Sequence, residues 1–246
     1  AAVAARKAWT VCSGFPPIGF SLKTAFPAAH AASIIGTCSM FGAVTHTAST
    51  SSDATASRQS AVARANPKAL IVGDLPFGSY HVNSEQGVRS AIQLIKAGAS
   101  AVKLEGGTTM YDTIAAICRV DIPVMGHIGL TPQSYHRMGG HKVQGKKSGF
   151  EAGGRERLLE DAHAVEQAGA CAVVVEGVPR DLAKEITHKL SIPTIGIGAG
   201  PDCDGQVLVL HDILGLSEHA MKFTKHYADL RGQAIAATEE YGREVR

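Results

Sequence analysis

Short apolar runs without strict alternation recur along this chain, and four of them end in ionisable side chains. Residues 70–74 read Leu-Ile-Val-Gly-Asp, 100–105 read Ser-Ala-Val-Lys-Leu-Glu, 123–127 read Pro-Val-Met-Gly-His, and 172–176 read Ala-Val-Val-Val-Glu. Two further runs follow at 193–198 and 206–210. Runs of this kind are expected for strands buried on both faces, as in a parallel sheet covered by helices. The intervening segments carry helical spacing. Ser84 is placed to cap a helix whose Val88, Ala91, Ile92 and Ile95 share one face, and Gly98 ends it. Leu158, Leu159, Ala162 and Val165 repeat the pattern up to Gly169, and Pro179 suits the first turn of a helix carrying Leu182 and Ile186. Strands alternating with helices fit either an open doubly wound sheet or a barrel. Asp74, Lys103 with Glu105, His127 and Glu176 end four successive strands, and groups so placed converge in a barrel but spread along one edge of an open sheet. The expected fold class is therefore α/β, a (β/α)8 TIM-type barrel, with its first two β/α units doubtful in this chain.

Composition narrows the picture modestly. The 246 residues approach the roughly 250 typical of one such barrel. A net charge of +2 and a lone Trp9 give neither the basic field nor the stacking platform that nucleic acid requires, so no nucleic-acid partner is expected. No apolar stretch reaches the roughly 18 residues of a membrane span, so no membrane partner is expected either. Cysteines stand at 12, 38, 118, 171 and 203, odd in number and without metal-site spacing. That usage reads as a reducing, cytoplasmic compartment.

Asp-Leu-Pro-Phe-Gly-Ser-Tyr at 74–80, Val-Lys-Leu-Glu-Gly-Gly at 102–107 and Gly-His-Ile-Gly-Leu-Thr-Pro-Gln-Ser at 126–134 form an ordered series. It continues with Lys-Val-Gln-Gly-Lys at 142–146, Val-Glu-Gly-Val-Pro at 175–179, Ile-Gly-Ile-Gly-Ala-Gly at 195–200 and Asp-Gly-Gln-Val-Leu-Val at 204–209. From about residue 60 to 246 the chain resembles the ketopantoate hydroxymethyltransferase family. The resemblance implies transfer of a one-carbon unit from 5,10-methylenetetrahydrofolate, as co-substrate, to the 2-oxo acid 3-methyl-2-oxobutanoate, in pantothenate biosynthesis. It implies Mg²⁺ held by Asp74 and Glu105, substrate contacts from Asp74, Lys103 and His127, Glu176 as general base, and a homo-oligomer. The chemistry suits these residue types. A 2-oxo acid can chelate Mg²⁺ through two oxygens, with protein carboxylates and water completing the shell.

Each residue also has a plainer reading. Lys103 and Glu105 share a strand face and could be an ion pair. Asp74, just ahead of Pro76, could cap a helix, and His127 could be a buried structural histidine. His136 and His141 lie in a Gly-rich loop, where they could form a zinc pair or be solvated. Gly196, Gly198 and Gly200 resemble a dinucleotide loop weakly, because no helix start follows.

Residues 1–58 depart from the family pattern and form a divergent N-terminal segment ahead of a barrel domain at 59–246. In the family this region carries a Gly-Asp-Ser motif with a further metal ligand, whereas Asp53 is the only acidic residue here before Asp74. The segment can be read as disordered, as an acid-poor transit peptide, or as out-of-frame translation, since shifted codons from residue 43 to 56 permit Gly-Asp-Ser. Three functions stay open: the transferase, a related Mg-dependent 2-oxo acid carbon–carbon lyase, and a catalytically impaired member that binds a 2-oxo acid or assembles with other subunits.

Overall fold

A computed structural model describes residues 52–218 and 221–245. The chain forms two compact units that meet in sequence at Val207 and Leu208. In the first, α1 (Ser52–Arg64) precedes β1 (Val72–Asp74), α2 (Ser84–Lys96), β2 (Ala101–Glu105), α3 (Tyr111–Cys118) and β3 (Val124–Gly129). A one-turn α4 (Tyr135–Met138), α5 (Arg155–Gln167), β4 (Ala172–Glu176), α6 (Arg180–Lys189), β5 (Thr194–Ile197) and β6 (Gly205–Gln206) follow. The second unit holds α7 (Leu210–Ile213) and α8 (Leu230–Glu244), the latter capped by Asp229, which accepts from Gly232 N at 3.0 Å.

All six strands pair in parallel and in sequence order, β1 to β6. A doubly wound sheet would reverse that order at a switch point. Unbroken order with helical crossovers is the progression of a TIM-type barrel, and the described strands make a partial one. The two units expected before β1 correspond to residues 1–58, of which 1–51 lie outside those described and 52–58 fall within α1. The 58/59 boundary lies inside α1, whose Asp53 accepts from the Gln93 side chain on α2 at 2.9 Å.

Burial on both faces of the strands is what the apolar runs anticipated. Val102, Leu104, Val124, Val173 and Val175 join the helices' Leu94, Ile114, Ile117, Val165, Leu182 and Ile186 in the main core. The alternate positions Ala172, Val174, Ile195 and Val207, with Met125 and Ile197, form a second cluster on the opposite face. Gly126 shows how closely α5 approaches β3: a methyl there would overlap the Val165 side chain.

Several boundaries differ from expectation. Strand β1 loses residues 70 and 71, and the run at 206–210 yields only the two-residue β6 before α7 begins at Leu210. Asn83, not Ser84, caps α2 through its side chain, which accepts from Gln86 N at 2.8 Å. The buried face of α2 is Gly87, Ala91 and Leu94, while Ile92 is 37% exposed. Val88 and Ile95 of the expected stripe pack partly buried against the core beside Ala91, so only Ile92 departs from it, and the buried face extends to Gly87, which lies close against Thr113 on α3.

Gly126→Ala should cost about 1–3 kcal/mol of stability by overpacking. Combined with Val165→Ala the cost should be less than additive, because the second change removes the clashing methyls. Urea unfolding of the two single variants and the double variant checks this, and strict additivity would contradict the packing described.

Candidate active site

Parallel register turns the sequence pattern into a cluster. Asp74 lies opposite Lys103 across β1 and β2, and Glu105 lies opposite His127 across β2 and β3. Gly129 lies opposite Glu176 across β3 and β4. These side chains share strand parity with Met125 and Val174, on the face turned away from the helix-side core.

Lys103 Nζ stands 2.8 Å from Asp74 Oδ1. Burial opposes a charge on Lys103, but Asp74 and Glu105 outweigh it and hold the ammonium above its ordinary pKa. The plain Lys103–Glu105 pair is therefore corrected to a pair across strands with Asp74. The capping role for Asp74 is also set aside, since Asn83 caps the next helix. Glu105, 7% exposed, is pushed above the ordinary carboxylate range by burial; His127 and Lys103 pull against that shift and Asp74 adds to it. His127, 3% exposed, faces Glu105 Oε1 through Nδ1 at 3.7 Å and Glu176 Oε2 through Nε2 at 3.1 Å. The imidazole thus lies between two carboxylates and nearer to that of Glu176.

The end of β4 is held in place by main chain. Leu130 N donates to Glu176 O at 2.8 Å, and Gly177 N donates to Ile197 O at 2.9 Å. Gly129 has φ +91°, and a methyl there would collide with the Glu176 carbonyl, so glycine is required twice over. The Gly-rich loop after α4 returns beside the same residues, with Gln144 N donating to Gly177 O at 2.9 Å.

Two contributors carried no signal of their own in the sequence. Tyr80, 1% exposed, accepts from Glu105 N at 3.1 Å and donates to Gln133 Oε1 at 2.8 Å. Burial, with Glu105 and Asp74 nearby, pushes its phenol far up, so it remains a donor. Gln133 donates from its main chain to Glu105 Oε2 at 2.9 Å and from its side chain to Leu75 O at 2.9 Å. Both lie inside the quoted motifs, but only register brings them together.

The remaining candidates lie apart from this chemistry. His136 and His141 each set a ring edge-on to Tyr135, at 5.6 and 5.0 Å between centroids. Among the described residues no three His, Cys, Asp or Glu side chains form a group able to hold a metal ion. Asp74 and Glu105 would therefore supply two oxygen ligands and leave the rest to substrate and water. After Ile197 the glycine series leads into a turn, tied by Gln206 Nε2 donating to Gly200 O at 3.0 Å, with no helix start. No described helix is long and apolar enough to cross a membrane.

A sequential parallel sheet carrying an ammonium, an imidazole and three carboxylates at its strand ends defines an enzyme of the TIM-type α/β class. Within it, the family model for ketopantoate hydroxymethyltransferase matches residues 36–246, and the chain belongs to that family. The match begins some way before residue 60, where the motif resemblance started. The 3-methyl-2-oxobutanoate hydroxymethyltransferase of Geobacter sulfurreducens is 60% identical over 188 residues, 76% of this chain and 69% of the relative. That of Ignicoccus hospitalis is 54% identical over 186 residues, again 76% and 69%. In fold the chain resembles 2,3-dimethylmalate lyase, a PEP mutase/isocitrate lyase superfamily member (TM-score 0.52, 16% identity, 85% of this chain and 72% of that one). It also resembles phosphonopyruvate hydrolase in complex with oxalate and Mg²⁺ (TM-score 0.51, 14% identity, 80% and 67%).

Burial of Glu105 predicts a pH signature. Its folded-state pKa is raised above the ordinary 4.5, so between the two values the folded protein binds the extra proton. Stability from this group is present below pH 4.5 and lost as pH rises through the folded value. In EDTA, Glu105→Gln should gain on the parent with rising pH, by about 1.4 kcal/mol per pH unit inside that window. Urea unfolding at several pH values checks this, and a difference that stays flat with pH would refute it.

Proposed function

We propose that the protein transfers a hydroxymethyl unit from 5,10-methylenetetrahydrofolate to 3-methyl-2-oxobutanoate, giving ketopantoate. The observation that carries this reading is the 3.1 Å contact between His127 and Glu176 beside the Lys103–Asp74 pair, all at adjoining strand ends. Relatives at 54–60% identity are named for the same reaction. The lyase alternative has only fold likeness behind it, at 14–16% identity.

In this reading Lys103 faces the substrate carboxylate with a charge that Asp74 and Glu105 keep in place. Glu176 takes the C3 proton of the 2-oxo acid. His127 Nε2, 3.1 Å from Glu176 Oε2, faces that carboxylate and orients it, and the β3 and β4 main-chain bonds fix its height in the barrel. Both C–N bonds of the folate methylene are replaced, one by the bond to the substrate's carbon nucleophile and the other by a bond to the oxygen of water, while the C3 proton and one proton of water pass to the two folate nitrogens to give tetrahydrofolate. Asp74 and Glu105 would hold Mg²⁺. Two carboxylates close enough for one to raise the other's pKa make a fitting pair of hard oxygen donors. When bound, the ion would act as a Lewis acid on the keto oxygen.

A homo-oligomer belongs to the same reading, supported by family resemblance and by the exposed Phe77, Val82 and Phe150. A reducing cytoplasm suits the thiols. Cys118 and Cys203 are in no disulfide, and burial raises both, Cys118 to about 11.

Exchange of the C3 proton of 3-methyl-2-oxobutanoate in deuterated water, with Mg²⁺ but without folate, isolates the first step. Glu176→Gln should slow it by roughly 10²-fold or more with little change in substrate affinity. Asp74→Asn should weaken Mg²⁺ activation and recover in part at raised Mg²⁺. Near-parental exchange in Glu176→Gln would remove that residue from the mechanism. A parent that neither exchanges nor transfers would favour the impaired-member reading.

A further inference from the structure

Gln133 reaches Glu105, the residue that follows Asp74, and Tyr80 from one position. It lies in the one-turn 3₁₀ segment Pro132–Ser134 after β3. Its main-chain N–H donates to Glu105 Oε2 at 2.9 Å, its side-chain amide donates to Leu75 O at 2.9 Å, and its side-chain oxygen accepts from Tyr80 Oη at 2.8 Å. Leu75 follows Asp74 directly, and its own N–H donates to Lys103 O at 2.9 Å. Tyr80 Oη in turn accepts from Glu105 N at 3.1 Å. The side chain therefore ties together the ends of β1, β2 and β3, and its anchoring is what brings the Gln133 main-chain N–H to Glu105.

Within the magnesium reading given above, we propose that Gln133, with Tyr80 as its anchor, is a positioning residue that sets divalent-cation affinity. It holds Oε2 of Glu105, leaves Oε1 on the His127 side, and fixes the residue next to Asp74. Neither Gln133 nor Tyr80 touches substrate in this role. The main-chain donor survives any substitution at 133, so a variant tests whether the side chain aims it. Groups that orient ligating carboxylates typically alter metal affinity 10- to 100-fold when removed.

The test is Mn²⁺ binding to the full chain without substrate, read as the free-ion electron paramagnetic resonance signal. Parent, Gln133→Met, Tyr80→Phe and Asp74→Asn are compared, with thermal unfolding of each in EDTA. Gln133→Met and Tyr80→Phe should each raise the Mn²⁺ dissociation constant roughly 10-fold or more while remaining folded, and excess Mg²⁺ should restore kcat. Parental Mn²⁺ affinity in Gln133→Met, with weakened binding in Asp74→Asn, would overturn the positioning role alone. A parent that takes up no Mn²⁺ would overturn the magnesium reading and this role with it. If Gln133→Met does not fold, Tyr80→Phe carries the same comparison.

Discussion

Burying a carboxylate in a protein interior costs on the order of several kcal/mol unless charge and hydrogen bonds replace the lost water. Glu105 sits in that situation in the middle of the strand-end cluster, and most of its surroundings answer to it. Gln133 N and His127 face its two oxygens, and Lys103 and His127 pull against its raised pKa. Lys103 is held by Asp74 on the other side. Removing any one partner leaves another buried group exposed to the full cost, so the cluster stands or falls as a unit.

Strand parity makes such a cluster compatible with a stable core. On β2, Val102 and Leu104 meet the helices while Lys103 and Glu105 turn to the opposite face. On β3, Gly126 and Ile128 face the helix side while His127 does not. Stability and chemistry are thus assigned to alternate residues of the same strands. A change at Gly126 should therefore act on packing against α5, and one at Gly129 on the height of Glu176.

Much of this was legible because it depends on local pattern. Residues 172–176 appear as β4 with the boundaries expected, and the alternation of strand and helix led to the barrel-type order. What was not legible depends on three-dimensional contact. Of the expected stripe on α2, Val88, Ala91 and Ile95 pack on the core, but the contribution of Gly87, which fits against Thr113, and the exposure of Ile92 cannot be read from apolar spacing. Tyr80 and Gln133 are 53 residues apart and meet only through register. Lys103 chose Asp74 over Glu105 because neighbouring parallel strands set those two side by side, whereas residues two apart on one strand are separated by a full pleat. Expectations about residues 1–51 fall outside the described part of the chain.

The asymmetry of His127 bears most directly on how three carboxylates in one place could serve different ends. His127 stands 3.1 Å from Glu176 and 3.7 Å from Glu105, so it lies nearer the first. The fixed hydrogen-bond donor to Glu105 is the Gln133 main chain. Asp74 is bound to the ammonium of Lys103. Each acid therefore has a different principal partner: an ammonium, a peptide N–H and an imidazole. That division separates a carboxylate suited to sharing a cation from one suited to accepting a proton, and it arises from which neighbour the parallel register supplies to each strand end.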